Sequence, residues 1–178
     1  MATESRKEKI LNAALKLFCK QGFDGTSTRI IAKEAQVSES LIFRHFENKE
    51  NLLQAVVKNG SQEVLESYES VLKLEHPKVI IKQIMSLPFT IAKEQYDFWK
   101  LLYSLRWHNK EANDEDILLP IKEKLILAFK ALEYSEPKSE ANAALLIFEG
   151  LMTTLLLKQH DFNNAFALFE TVVKKYDV

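Results

Sequence analysis

The stretch Thr26–Phe46, TSTRIIAKEAQVSESLIFRHF, limits the fold of this chain more than any other. Thr28 stands as an N-cap ahead of Ile30, Ile31, Ala32 and Ala35, which give a short helix one apolar side. Gln36-Val37-Ser38 interrupts that period, with Val37 placed to plug the angle between two helices and Ser38 placed to cap the second. The second helix, Glu39–Phe46, turns Ile42 and Phe46 inward. It leaves Ser40, Leu41, Phe43, Arg44 and His45 outside, where small polar, aromatic and basic residues replace the aliphatics of a buried helix. Two helices across so short a turn form the helix-turn-helix plan, whose second helix fits the DNA major groove.

The flanking sequence is helical as well. Ile10, Ala13, Ala14, Leu17 and Phe18 recur at i, i+3, i+4, i+7 and i+8, which predicts a helix over 5–21 that Gly22 ends. Asn48 caps a long fourth helix through Leu53, Val57, Val64 and Leu72, in which Gly60 weakens the middle without breaking it. Pro77 opens a fifth helix and Pro88 kinks or ends it. Tyr96–His108 forms a sixth, Glu111–Asp116 a charged loop, and 117–133 a seventh helix with Pro120 in its first turn. Pro137 opens an eighth, to about His160, and Asp161 caps the last. The expected fold is all-α with about nine helices: a three-helix helix-turn-helix domain over 1–47, then a helical ligand-binding and dimerisation domain over 48–178.

With only 4 Gly and 4 Pro, and 47% hydrophobic residues, the chain suits such a helical fold with a substantial core. Cys19 is the single cysteine, so a disulfide framework is excluded; it lies beside the apolar face of the first helix and reads as a small packed residue. The lone thiol and the lack of a signal sequence suggest a reducing cytoplasm. The most apolar run, Ala143–Leu157, is too short to span a membrane and contains Glu149. The net charge of −1 is unevenly spread, since residues 1–50 hold nine Lys/Arg against seven Asp/Glu. That surplus has the sign expected of a DNA-binding N-terminal part.

The eighth helix is apolar or small on every side and must be covered all round. A second copy of the chain is the simplest cover, so Ala144, Ile147, Leu151 and Leu155, with Phe162, Phe166 and Phe169 of the last helix, are expected to form a homodimer interface. The aromatic sixth helix is the best place for a small hydrophobic ligand. Phe98, Trp99, Tyr103, Arg106 and Trp107 combine apolar area with polar groups, and Met85, Phe89, Phe148 and Met152 would complete the lining. His45, His76, His108 and His160 are scattered, and neither a phosphate-binding glycine loop nor a nucleophile motif is present. No cofactor, metal site or enzymatic activity is expected.

The segments ILNAALKLFCKQGFDGTSTRIIAKEAQVS and LIFRHFENKENLL resemble the DNA-binding domain of the TetR (tetracycline-repressor-like) family of bacterial transcriptional regulators. The order and spacing through Phe46, Lys49, Glu50 and Leu52 carry the resemblance. It implies a homodimeric repressor that binds a palindromic double-stranded operator and is released when a small hydrophobic effector enters the C-terminal domain. By position, Thr28, Arg29, Ser38, Ser40, Leu41, Phe43, Arg44, His45 and Lys49 would meet DNA. Thr28, Ser38 and Lys49 would hold phosphates, while Arg44 would read a guanine and Leu41 a thymine methyl. The chain departs from the family's usual residues at Gln36 (often Gly), Glu39 (often Lys), Leu41 (often Thr or Ser) and Phe43 (often Tyr). A second reading is a small-molecule sensor or carrier that kept the fold without binding DNA.

Overall fold

A computed structural model describes residues 5–107, 117–157 and 162–178, with Trp107 and Leu157 described by their backbone alone. Among the described residues there are nine α-helices and no strand, as the periodicity predicts. They are α1 (Arg6–Gln21), α2 (Thr28–Glu34), α3 (Glu39–Phe46), α4 (Lys49–Leu72), α5 (Pro77–Ser86), α6 (Tyr96–Trp107), α7 (Leu119–Ala131), α8 (Pro137–Leu157) and α9 (Phe162–Lys175). Two 3-10 turns, Leu87–Phe89 and Lys93–Gln95, are additions that the periodicity does not indicate. The first follows from Pro88, which ends α5 at Ser86. The expected charged loop 111–116, His108, His160 and the Asp161 cap lie outside the described residues.

The chain divides into two compact units: Met1–Glu63 with Glu94–Glu115, and Val64–Lys93 with Asp116–Val178. This differs from a division at 47/48. The first half of α4 and the whole of α6 join the helix-turn-helix, because Leu52, Val56 and Val57 of α4 and Leu101 and Leu105 of α6 complete its core.

In the first unit, Ile10, Ala14, Leu17 and Phe18 of α1 bury one face against Ile31 and Ala32 of α2 and Ile42 and Phe46 of α3. α1 opens on a reciprocal cap in which the Glu8 amide donates to Ser5 Oγ at 3.2 Å and the Ser5 amide to Glu8 Oε2 at 2.6 Å. Those bonds favour the carboxylate and hold the Glu8 carboxyl below its ordinary range. At its other end Gly22, at φ 74 and ψ 165, takes an extended positive-φ conformation that is essentially open to glycine alone and stops the helix. α4 runs through Gly60 unbroken, and its cap is the expected one: Asn48 Oδ1 accepts from the Asn51 amide at 2.7 Å.

In the second unit, α7 packs between α5 and α8, and α9 lies against α8. Ile81, Ile84 and Met85 meet a core that includes Ile121, Leu125, Phe129, Phe148 and Met152, each of them buried. Phe129, Tyr134 and Tyr176 form an aromatic triangle with centroids 5.0, 5.2 and 6.1 Å apart. The Tyr176 hydroxyl donates to Glu140 Oε2 at 2.9 Å, and burial pushes its pKa up.

α8 buries Ala141, Ala144, Phe148, Leu151, Met152 and Leu156 within its own chain. Ala144 and Leu151 are therefore not interface residues: they face the core of the second unit and have no surface to offer a second copy. The outward apolar residue of this helix is Leu146, 70% exposed and absent from the sequence expectation. Ile147 and Leu155 are half-buried. On α9, Phe162 and Phe166 are 52% and 44% exposed, and Phe169 is half-buried.

Candidate nucleic-acid interface

The geometry begins with the loop before α2. A side chain at Gly25 would bring its Cβ within 2.5 Å of the Gln21 carbonyl oxygen, so only glycine lets the chain turn this closely against the end of α1. Thr26, buried, places Oγ1 2.8 Å from the Gly22 carbonyl and 3.3 Å from that of Leu17. The Lys49 ammonium donates to the Phe23 and Thr26 carbonyls at 2.9 and 3.0 Å and lies 4.2 Å from the Phe23 ring centroid. Lys49 is thus turned onto the loop rather than outward, because two carbonyls and an aromatic face offer a fixed cation site.

Helix α2 is capped one residue earlier than the sequence suggests. Ser27 is the N-cap, its Oγ accepting from the Ile30 amide at 3.3 Å. Thr28 is the first helical residue, and its hydroxyl donates to Glu39 Oε1 at 2.6 Å. The proton expected to hold a phosphate is committed to a carboxylate at the start of α3, which ties the two helix beginnings together. Adjacent Ser and Thr are both good caps, and sequence alone does not choose between them.

The turn closes as a Schellman motif. The Val37 amide donates to the Ala32 carbonyl at 3.0 Å and the Gln36 amide to that of Lys33 at 3.3 Å. Gln36 sits between them at φ 55, the left-handed region. Val37, half-buried, packs on the core as the wedge between the helices. Ser38 is the N-cap of α3, but its side chain makes no capping bond; its Oγ lies 3.0 Å from Ser40 Oγ instead.

α3 presents Ser40, Phe43, Arg44 and His45 to solvent, with Phe43 46% exposed. Arg29 of α2 is exposed as well. Leu41 is half-buried and packs on the core, which limits the side-chain surface it can offer a base. Of the nine residues expected at DNA, five side chains therefore form one exposed set (Arg29, Ser40, Phe43, Arg44, His45), with Ser38 exposed at its edge. Thr28, Leu41 and Lys49 belong in part to the scaffold.

The expected effector residues are not gathered in one unit. Phe98, Trp99, Tyr103 and Arg106 belong to the first and Met85, Phe89, Phe148 and Met152 to the second; the Trp107 side chain lies outside the described residues. Within the first, Trp99 is buried and stacks on Tyr103 at 6.2 Å, and its Nε1 has no hydrogen-bond partner among the described residues. Within the second, Phe89 joins α9, its ring 5.7, 6.1 and 5.5 Å from those of Phe162, Phe166 and Phe169. Cys19 Sγ lies 3.6 Å from Asp97 Oδ1, and burial first, then that carboxylate, push its pKa up. Among the described residues no helix is long and apolar enough to cross a membrane, and no three His, Cys, Asp or Glu side chains are placed to share a metal ion.

An all-α protein with a solvent-facing second helix of a helix-turn-helix is the class that the fold and this site define. Residues 10–56 match the family of bacterial regulatory proteins called the tetR family. It is similar to the uncharacterized HTH-type transcriptional regulator YvkB of Bacillus subtilis (strain 168), 38% identical over 91 residues, covering 42% of this chain and 48% of that protein. It is also 39% identical over 79 residues to the HTH-type transcriptional regulator HbdR of Aromatoleum sp. (strain CIB), covering 42% of this chain and 33% of that protein. The matched part thus spans about half of the first relative and a third of the second. The fold extends further than these matches: a protein of Saccharomonospora viridis solved in complex with choline superposes with a TM-score of 0.80 at 13% identity, over 94% of this chain and 95% of that one.

Proposed function

We propose that this protein is a DNA-binding transcriptional regulator that acts as a homodimer on a palindromic operator and responds to a small-molecule effector. The observation that carries the reading is α3. It is fixed by a Schellman turn and by the Thr28–Glu39 hydrogen bond, and it holds Ser40, Phe43, Arg44 and His45 exposed on one rigid scaffold. A guanidinium on such a helix pairs bidentately with guanine O6 and N7, and hydroxyls serve either bases or phosphates. Arg29 and the amides at the start of α3 hold the backbone.

Dimerisation follows from the same logic of exposure. The outer apolar residues of α8 and α9, chiefly Leu146, Phe162, Phe166 and Leu168, form the surface a second copy would cover. Two recognition helices then meet half-sites about one helical turn apart, or a multiple of it. The choline complex of a protein of like fold supports small-molecule control, with the effector's identity left to experiment. An effector acts only through a difference in its affinity for the DNA-competent and DNA-incompetent arrangements.

Selection from a random DNA pool with the purified protein tests the reading. The expected result is a palindromic consensus bound far more tightly than random DNA at physiological salt, with affinity falling steeply as salt rises. No enrichment over random sequence would defeat it.

A further inference from the structure

The first unit holds a cavity of about 300 Å³ between α1, α4 and the start of α6, away from the exposed face of α3. Leu11, Leu15, Val56 and Phe98 supply its apolar wall. Gly60 shapes that wall: a Cβ there would lie 2.1 Å from the Phe98 ring, so the missing side chain is what lets the ring lie against α4. Among the described residues that line it, Glu63 and Glu94 carry the only charges, and both are negative. The Asn59 side-chain amide donates to Glu63 Oε1 at 2.8 Å. Asn12, Asn59 and Gln95 add neutral amides.

An apolar wall with an aromatic ring, closed by two carboxylates, complements one chemical class. Carboxylates attract a positive charge, the ring face attracts a diffuse cation, and the aliphatic wall takes its alkyl groups. Among the described residues no three His, Cys, Asp or Glu side chains are placed to share a metal ion here. An anion is disfavoured by both glutamates. The volume is at the lower end of what small-molecule sites offer. We propose that this cavity binds a small organic ammonium ion, with Glu63 and Glu94 as charge partners and Phe98 as its aromatic wall. The site shares Phe98 with the expected effector residues and otherwise has a lining of its own, and it stands whether or not the protein regulates transcription.

Calorimetric titration of the full chain with benzyltrimethylammonium chloride tests it, with benzoate and benzyl alcohol as anionic and neutral comparators. Saturable binding of the ammonium at millimolar concentration or below, with none of benzoate, is expected. The exposed pair Glu63→Gln/Glu94→Gln is expected to keep the melting temperature and to weaken ammonium binding about tenfold or more. No saturable binding to the unaltered protein overturns the proposal. So does binding that the double substitution leaves intact, which places the ammonium elsewhere, or equal binding of benzyl alcohol, which makes the charge irrelevant.

Discussion

At position 36 a glutamine occupies backbone space that glycine enters without strain, φ 55 at the centre of the Schellman turn. Gln36→Gly is expected to raise stability by about 0.5–1 kcal/mol, a shift of about 1–4 °C in melting temperature by differential scanning calorimetry, with α2 and α3 unchanged. Arg44 is the opposite kind of residue, exposed and with no structural bond to lose among the described residues. Arg44→Ala is expected to cost about 1–3 kcal/mol of affinity for the selected operator while thermal stability holds; equal affinity in fluorescence anisotropy would remove Arg44 from the reading set. Cys19 is protonated at neutral pH because burial and the Asp97 carboxylate both disfavour the thiolate. Its alkylation by iodoacetamide is expected to be slower than that of a free thiol and to accelerate only above the ordinary thiol range, since reactivity follows the thiolate. Alkylation at the rate of free cysteine at pH 8 would contradict the packed environment.

At the scale of elements, the first three helices were largely legible. The i, i+3, i+4 spacing marks the buried faces of α1, α2 and α3 because short helices with one wet side have an unambiguous phase. Three details were not legible, each for a physical reason. Ser27 rather than Thr28 caps α2, since both side chains can accept the same amide. Lys49 turns onto the Phe23 and Thr26 carbonyls, a long-range choice between solvent and a loop 23 to 26 residues away. Gly60, which the sequence marks only as a weak point in α4, is where the Phe98 ring of α6 comes to rest. Gly60→Ala therefore sets a helix-propensity gain of about 1 kcal/mol against overpacking that costs about 1–3 kcal/mol. The expected net result is a lower melting temperature, with a changed Phe98 ring environment in NMR spectra. A higher melting temperature would show that the ring moves aside at little cost.

For the whole molecule, the proposed dimer rests on the outer faces of α8 and α9. Leu146→Glu with Phe166→Glu places two charges where a second copy would bury them, at a cost of several kcal/mol. Because both residues are exposed in the single chain, the fold is expected to persist while sedimentation shows a monomer and operator affinity collapses. A dimer that survives both changes would move the interface to another face. The sequence by itself determined the all-α class and the helix-turn-helix with its turn at 36–38, because those depend on local periodicity and on residues a few positions apart. Only the tertiary structure decided that α6 completes the first unit's core and that α8 points Ala144 and Leu151 inward and Leu146 outward. A helix that is apolar all round has no phase in its sequence. Which side it buries is set by the helices that pack against it.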